Sequence, residues 1–135
     1  MIARLLPFAL IFAAVPASAQ TVDDLVGRWG VASYWNKADA AKAPGWARQS
    51  CGQPYVIEKS GGGNLMMFVA DGQKREVALK GKKLTPVEKV LPEGPARMHV
   101  RTITAFEAGK SFELTWQHGG FAGRYGTVLY VKCGG

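Results

Sequence analysis

The sequence is poor in the residues that most often carry chemistry: 135 residues hold two histidines and two cysteines. A protein metal site draws on three or four convergent ligands, and neither His99 nor His118 has a second ligand at metal-binding spacing. His99 shares a strand phase with Arg101 and is expected on the exposed face, while His118-Gly119-Gly120 reads as a hairpin tip. Cys51 and Cys133 form no C-x-x-C pair, which argues against dithiol redox chemistry. No serine stands in a G-x-S-x-G elbow; Ser60 and Ser111 read as turn and strand-opening residues. Gly61-Gly62-Gly63 has no helix after it to offer N-terminal amides to a phosphate. Glu58, Glu76, Glu88, Glu107 and Glu113 fall on outward phases or turns, where they do not converge as a glycosidase pair. The expectation is a protein that is not an enzyme, with no cofactor and no metal. No apolar run reaches the roughly twenty residues that cross a bilayer.

The longest apolar run, Leu5 through Val15, follows a lone cation, Arg4, and closes on Ala17-Ser18-Ala19. A charged start, an apolar centre and small residues at an A-x-A site make a bacterial-type secretory signal. It is expected to occupy residues 1–19, with cleavage after Ala19, and to leave one domain over residues 20–135. No Cys follows the cleavage site closely enough to accept a lipid anchor. The expected location is periplasmic or secreted. Loss of Arg4 leaves sixteen cations against ten anions, a net of +6. Outside the cytoplasm that charge speaks for solubility, an anionic envelope surface or an acidic partner; nucleic acid is not expected. Nor is stable membrane insertion. In an oxidising compartment Cys51 and Cys133 read as one disulfide.

The rest of the sequence alternates with period two between turn signals. Segments 28–36, 54–59, 65–70, 75–79, 84–90, 97–106, 111–117 and 125–133 read as strands. Asp71-Gly72 and Lys80-Gly81-Lys82-Lys83 mark hairpins, and Pro92-Glu93-Gly94-Pro95 marks a break. Short connections make neighbouring strands antiparallel, and closure removes the two free edges of such a sheet. The expected fold is therefore all-β: an eight-stranded antiparallel up-and-down meander barrel with one disulfide. Helix is expected at most as a turn at Val22–Leu25 and a short piece at 38–43. Residues 37–50 form the one long connection. It reads either as a packed loop plugged by Trp46 or as a lid over the barrel mouth.

Gly27-Arg28-Trp29, a G-x-W at the first strand of an eight-strand chain, resembles the start of the calycin barrels. That group holds the lipocalins, the avidin-like proteins and the small secreted metalloprotease inhibitors; small exported α-proteobacterial proteins look similar. The resemblance implies that Gly27 and Trp29 close one end of the barrel under an arginine from late in the chain. Arg124 is the candidate, with Lys132 second. A disulfide that reaches the C-terminal segment is also lipocalin-like.

On these phases the candidate interior, and hence the candidate ligand site, comprises Ser33, Trp35, Met67, Met98, Thr102, Thr104, Phe106, Phe112 and Trp116. Apolar walls with a few placed polar groups describe a binding pocket, and the same inventory describes a filled core, the expectation for so short a chain. The functional expectation is an exported, non-catalytic lipocalin-like barrel whose partner is a small, partly apolar ligand. The alternative is a module that binds an envelope protein, such as a periplasmic protease inhibitor using the lead at residues 20–26. Oligomeric state is left open, with Tyr34 and Tyr130 read as outward residues where an interface would form.

Overall fold

The computed structural model describes residues 20–134; the expected leader at 1–19 lies outside the described residues. A short helix α1 (Val22–Leu25) leads into β1 (Gly27–Tyr34), followed by α2 (Lys37–Ala40), α3 (Ala43–Gln49) and a 3-10 turn at Ser50–Gly52. Four strands follow as hairpins: β2 (Tyr55–Lys59), β3 (Leu65–Phe68), β4 (Lys74–Lys80) and β5 (Lys83–Pro86). A two-residue-per-strand hairpin, β6 (Val90–Leu91) and β7 (Gly94–Pro95), and a 3-10 turn at Ala96–His99 precede β8 (Arg101–Glu107). The chain ends with β9 (Ser111–Trp116), α4 (Gly119–Tyr125) and β10 (Thr127–Lys132).

Eight of these strands close into a barrel in the order β1, β2, β3, β4, β5, β8, β9, β10, with β10 returning to β1 and every pairing antiparallel. This is the meander expected from the sequence. The small β6–β7 hairpin stands outside the barrel, where the sequence shows only a Pro-Gly break. Closure runs through six residue pairs, from Trp29 opposite Lys132 to Tyr34 opposite Thr127. The expected disulfide is present, Cys51 to Cys133 with Cα atoms 5.6 Å apart.

The long connection is packed, as one of its two readings expects, but Trp46 is not its plug and it does not cover the barrel mouth. It folds into α2 and α3, and α3 lies on the outer wall against β1 and β10. The Asn36 side chain caps α2 by accepting from the Asp39 amide at 3.2 Å. Ala43 and Ala47, one turn apart, are fully buried and meet Leu129, with Ala32, Tyr34 and Val131 packed around them. Trp46 points away from this contact and is 41% exposed, so the lid role expected for it is not its position. Two local features allow the close seating. Gly30 has no side chain, and a Cβ there would collide with the Ala47 carbonyl. The Ser50 hydroxyl accepts from the Val31 amide at 2.7 Å and donates to the Ala47 carbonyl at 2.8 Å, joining helix end to strand.

One end of the barrel is packed solid. Leu25, carried in by α1, is fully buried, and the Trp29 indole donates to its carbonyl at 2.9 Å. Trp29 meets Phe112 edge-on at 4.7 Å, and Phe112 stacks on Tyr130 at 4.5 Å. The cation over Trp29 is Lys132, 4.8 Å from the ring, and its ammonium also donates to the Val26 carbonyl. Arg124, the first candidate for that place, instead sits on α4 over Phe121 and Tyr125 and pairs with Glu93 at 3.1 Å. Lys132 wins because it lies directly opposite Trp29 in the closing ladder. Gly27 is required beside them: its φ is +149°, and a side chain there would occupy the space of the Lys132 ammonium.

Two expected outcomes test this account. Gly30→Ala forces α3 off the wall and lowers unfolding free energy by about 1–3 kcal/mol, measured by urea denaturation; an unchanged midpoint contradicts the seating described. Replacing both Cys51 and Cys133 by Ala releases a loop of 82 residues, and chain entropy puts the loss on the order of 4 kcal/mol.

Candidate functional site: a chamber in the upper barrel

Above the Phe112–Tyr130 stack the interior opens into a cavity of about 160 Å³. Val31 and Ser33 from β1, Tyr55 from β2, Leu114 and Trp116 from β9, and Val128 and Tyr130 from β10 line it. Phe68 and Val69 at the end of β3, Arg101 from β8 and Tyr125 from α4 complete the wall. Ser33 and Val128 face each other across the β1–β10 ladder, as Arg101 and Trp116 do across β8–β9. The filled-core expectation thus holds for one half of the barrel only.

Tyrosines hold the rim. The Tyr55 hydroxyl accepts from the Phe68 amide at 2.8 Å, and the Tyr125 hydroxyl donates to the Ala70 carbonyl at 3.0 Å. Both tie the segment after β3 to the chamber. The α4 helix that carries Tyr125 has three glycines in seven residues, so intrinsic propensity does not make it. It forms because Phe121 and Tyr125, one turn apart, pack on Trp116 at 5.4 and 5.2 Å. His118 is its N-cap position, where the sequence suggests a hairpin tip.

The polar content of this end is unusual. Arg101 is 3% exposed, yet its Nε and one terminal nitrogen have no hydrogen-bond partner among protein atoms. Its guanidinium lies over the Trp116 ring at 5.0 Å, and the Trp116 indole N–H is also buried without a partner. Arg75 shows the contrast. It donates to Asp71 through Nε at 3.0 Å and through a terminal nitrogen at 2.6 Å, and to both Glu88 oxygens at 3.1 Å. That contact holds the Asp71 carboxyl below the usual range, and Asp71 is thereby committed to Arg75. Among the described residues no carboxylate lies within ion-pair distance of Arg101. Tyr130 faces both the Tyr55 hydroxyl and Arg101; burial, then Tyr55, pushes its phenol well above the ordinary value, so it stays neutral.

The expected interior residues divide sharply. Ser33 and Trp116 line the chamber, whereas Met67 and Phe112 are buried in the core and do not line it. Trp35 is 61% exposed, because β1 ends at Tyr34; its indole donates to the Gly123 carbonyl of α4 at 2.9 Å. Met98 lies half-buried in the 3-10 turn before β8, outside any strand. Thr102 and Thr104 point away from the core, which receives Arg101 and Ile103. The reason is a bulge between Ile103 and Ala105 that reverses the strand's phase, so Phe106 alone packs inward, at the closed end. Arg101 is therefore inside; His99, in the 3-10 turn before β8, is inside as well, both the reverse of the expected faces, and Tyr130 is inside too. Tyr34 is outward as expected, and its hydroxyl donates to Glu113 at 2.8 Å. Tyr55, Tyr125 and Arg101 had no marker in the sequence: an unbroken hairpin about the turn at 108–110 sets Arg101 opposite Gln117, and only the bulge brings it opposite Trp116.

No family model matches the chain, and no curated protein or solved structure is significantly similar to it.

His99 gives this end a pH response. It is fully buried against Phe121 at 5.1 Å, and both ring nitrogens lack partners. Burial lowers its pKa; Glu93 and Asp71 pull the other way, while Arg101 and Arg75 add to the lowering. The unfolded chain therefore binds a proton near pH 6.5, about the ordinary value, that the folded chain refuses. The stability held by neutral His99 is complete above that pH and is lost as pH falls below it. The urea midpoint is expected to decline on acidification from there, and His99→Phe to flatten that decline; an equal decline in the variant removes His99 as its source.

Proposed function

We propose that this protein is a non-catalytic binding barrel of the calycin type that holds a small, partly apolar ligand in its upper chamber. The observation that carries this reading is the asymmetry of the interior. One end is filled by the large buried side chains of Leu25, Trp29 and Phe112, while the other keeps about 160 Å³ between aromatic walls. A void left by poor packing loses dispersion contacts and destabilises the fold. A chamber walled by Tyr55, Trp116, Tyr125 and Tyr130, with Ser33 as a polar point, has the composition of a ligand site. Apolar cavities of about 150 Å³ hold a molecule of benzene size, which sets the scale of the ligand.

Export supports the same reading: the leader pattern at residues 1–19 and the disulfide fit an oxidising compartment outside the cytoplasm. Among the described residues no helix is long and apolar enough to cross a membrane. The short lead, which would act as an arm in a protein-binding module, is used differently. Val22 and Leu25 pack into the closed end as part of the core.

Trp116 lines the chamber, so its emission reports occupancy. Titration with toluene and benzamide is expected to shift tryptophan fluorescence saturably in the wild-type protein. Ser33→Phe, which fills the chamber from β1, is expected to abolish that response with the circular dichroism unchanged. A saturable response of equal affinity in the filled variant would overturn the reading.

A further inference from the structure

We infer that the chamber selects a monoanionic carboxylate of about one-ring size, with the guanidinium of Arg101 as its counter-charge. The inference rests on the binding function proposed above and adds the charge and chemical class of the ligand. Three observations point the same way. Arg101 is 97% withdrawn from solvent, lines the chamber, and leaves two of its nitrogens unpaired. The acids at this end are already engaged, Asp71 and Glu88 by Arg75 and Glu93 by Arg124. The groups that meet the guanidinium of Arg101 carry no charge: the Tyr130 hydroxyl and the Trp116 ring.

A buried cation without an anion is among the most unfavourable arrangements a core can hold. A protein that only needed to fill this position would do better with Met or Leu. An incoming carboxylate reverses the balance, because a guanidinium presents paired N–H donors that match two carboxylate oxygens. In a chamber walled by aromatic rings that contact gains strength from the low local polarity. The unpaired Trp116 indole N–H is a further donor at the same wall. One cation matches one negative charge, so a phosphate monoester, which carries nearly two, is disfavoured. The aromatic walls of Tyr55, Phe68 and Tyr125 take the apolar part of the ligand.

The experiment compares four probes of the same ring size on the intact mature protein by calorimetry and tryptophan fluorescence: benzoate, benzamide, benzylammonium and phenyl phosphate. Benzoate is expected to bind about tenfold or more tightly than benzamide, with benzylammonium weakest and phenyl phosphate below benzoate. Arg101→Met is expected to erase the preference of benzoate over benzamide while benzamide binding persists. The same variant is expected to keep or raise the melting temperature, whereas an arginine that served the fold would lower it on removal. Arg101→Lys is expected to restore part of the preference, since it returns the charge without the fork. Equal affinities for benzoate and benzamide in the wild-type protein overturn the inference and leave the binding function standing. Tighter binding of phenyl phosphate overturns the choice of carboxylate. Failure of all four probes to bind removes both the inference and the function beneath it.

Discussion

The pairing of β1 with β10 is the constraint on which the rest of the molecule depends. Until those strands meet, the meander is an open sheet with two bare edges; once they meet, its inner face becomes an interior that has to be filled or used. The ladder from Trp29–Lys132 to Tyr34–Thr127 also sets which side chains share a level inside. Two devices outside the barrel secure it. The α3 helix clamps the seam, with Ala43 and Ala47 against both seam strands, and the Cys51–Cys133 bond ties the end of that clamp to the end of β10. The covalent link and the helix act on the same seam, which is the place where an open sheet would begin to come apart.

Closure also separates two ends with different chemistry. At the closed end the polar groups of Trp29 and Lys132 are matched: the indole reaches the Leu25 carbonyl, and the Lys132 ammonium reaches both the ring and the Val26 carbonyl. At the upper end Arg101, His99 and Trp116 all bury polar atoms without protein partners. Folded proteins seldom leave such groups unmatched unless a site needs them. The arginines sharpen the point. Arg75 lies near the surface and is fully engaged by two carboxylates, while Arg101 lies in the core with none. Folding stability would favour the opposite distribution.

Much of the fold is legible residue by residue, and the failures have physical causes. Ser111–Trp116 alternates cleanly, with Phe112, Leu114 and Trp116 inside and Glu113 and Thr115 outside, because one face meets the core and the other water. Thr127–Lys132 does not, because α3 covers its outer face; Leu129 and Val131 are as apolar as Val128 and Tyr130, and the phase disappears from the sequence. The β8 strand misleads for another reason. Its bulge reverses the phase between Ile103 and Ala105, so an unbroken alternation that ends correctly at Phe106 starts wrongly at Arg101. The α4 helix is invisible to propensity, since three glycines argue against it and contacts distant in the chain hold it in place, with Trp116 under Phe121 and Tyr125 and the Trp35 indole on the Gly123 carbonyl.

By itself the sequence determined the number of barrel strands, their order, the antiparallel meander and the sulfur pair, because period-two alternation and turn residues are local properties of the chain. Only the tertiary structure decided which groups share the interior. That outcome depends on a bulge, a clamp helix and the register of the closing ladder, each of which joins residues far apart in the chain and leaves no mark on neighbouring positions.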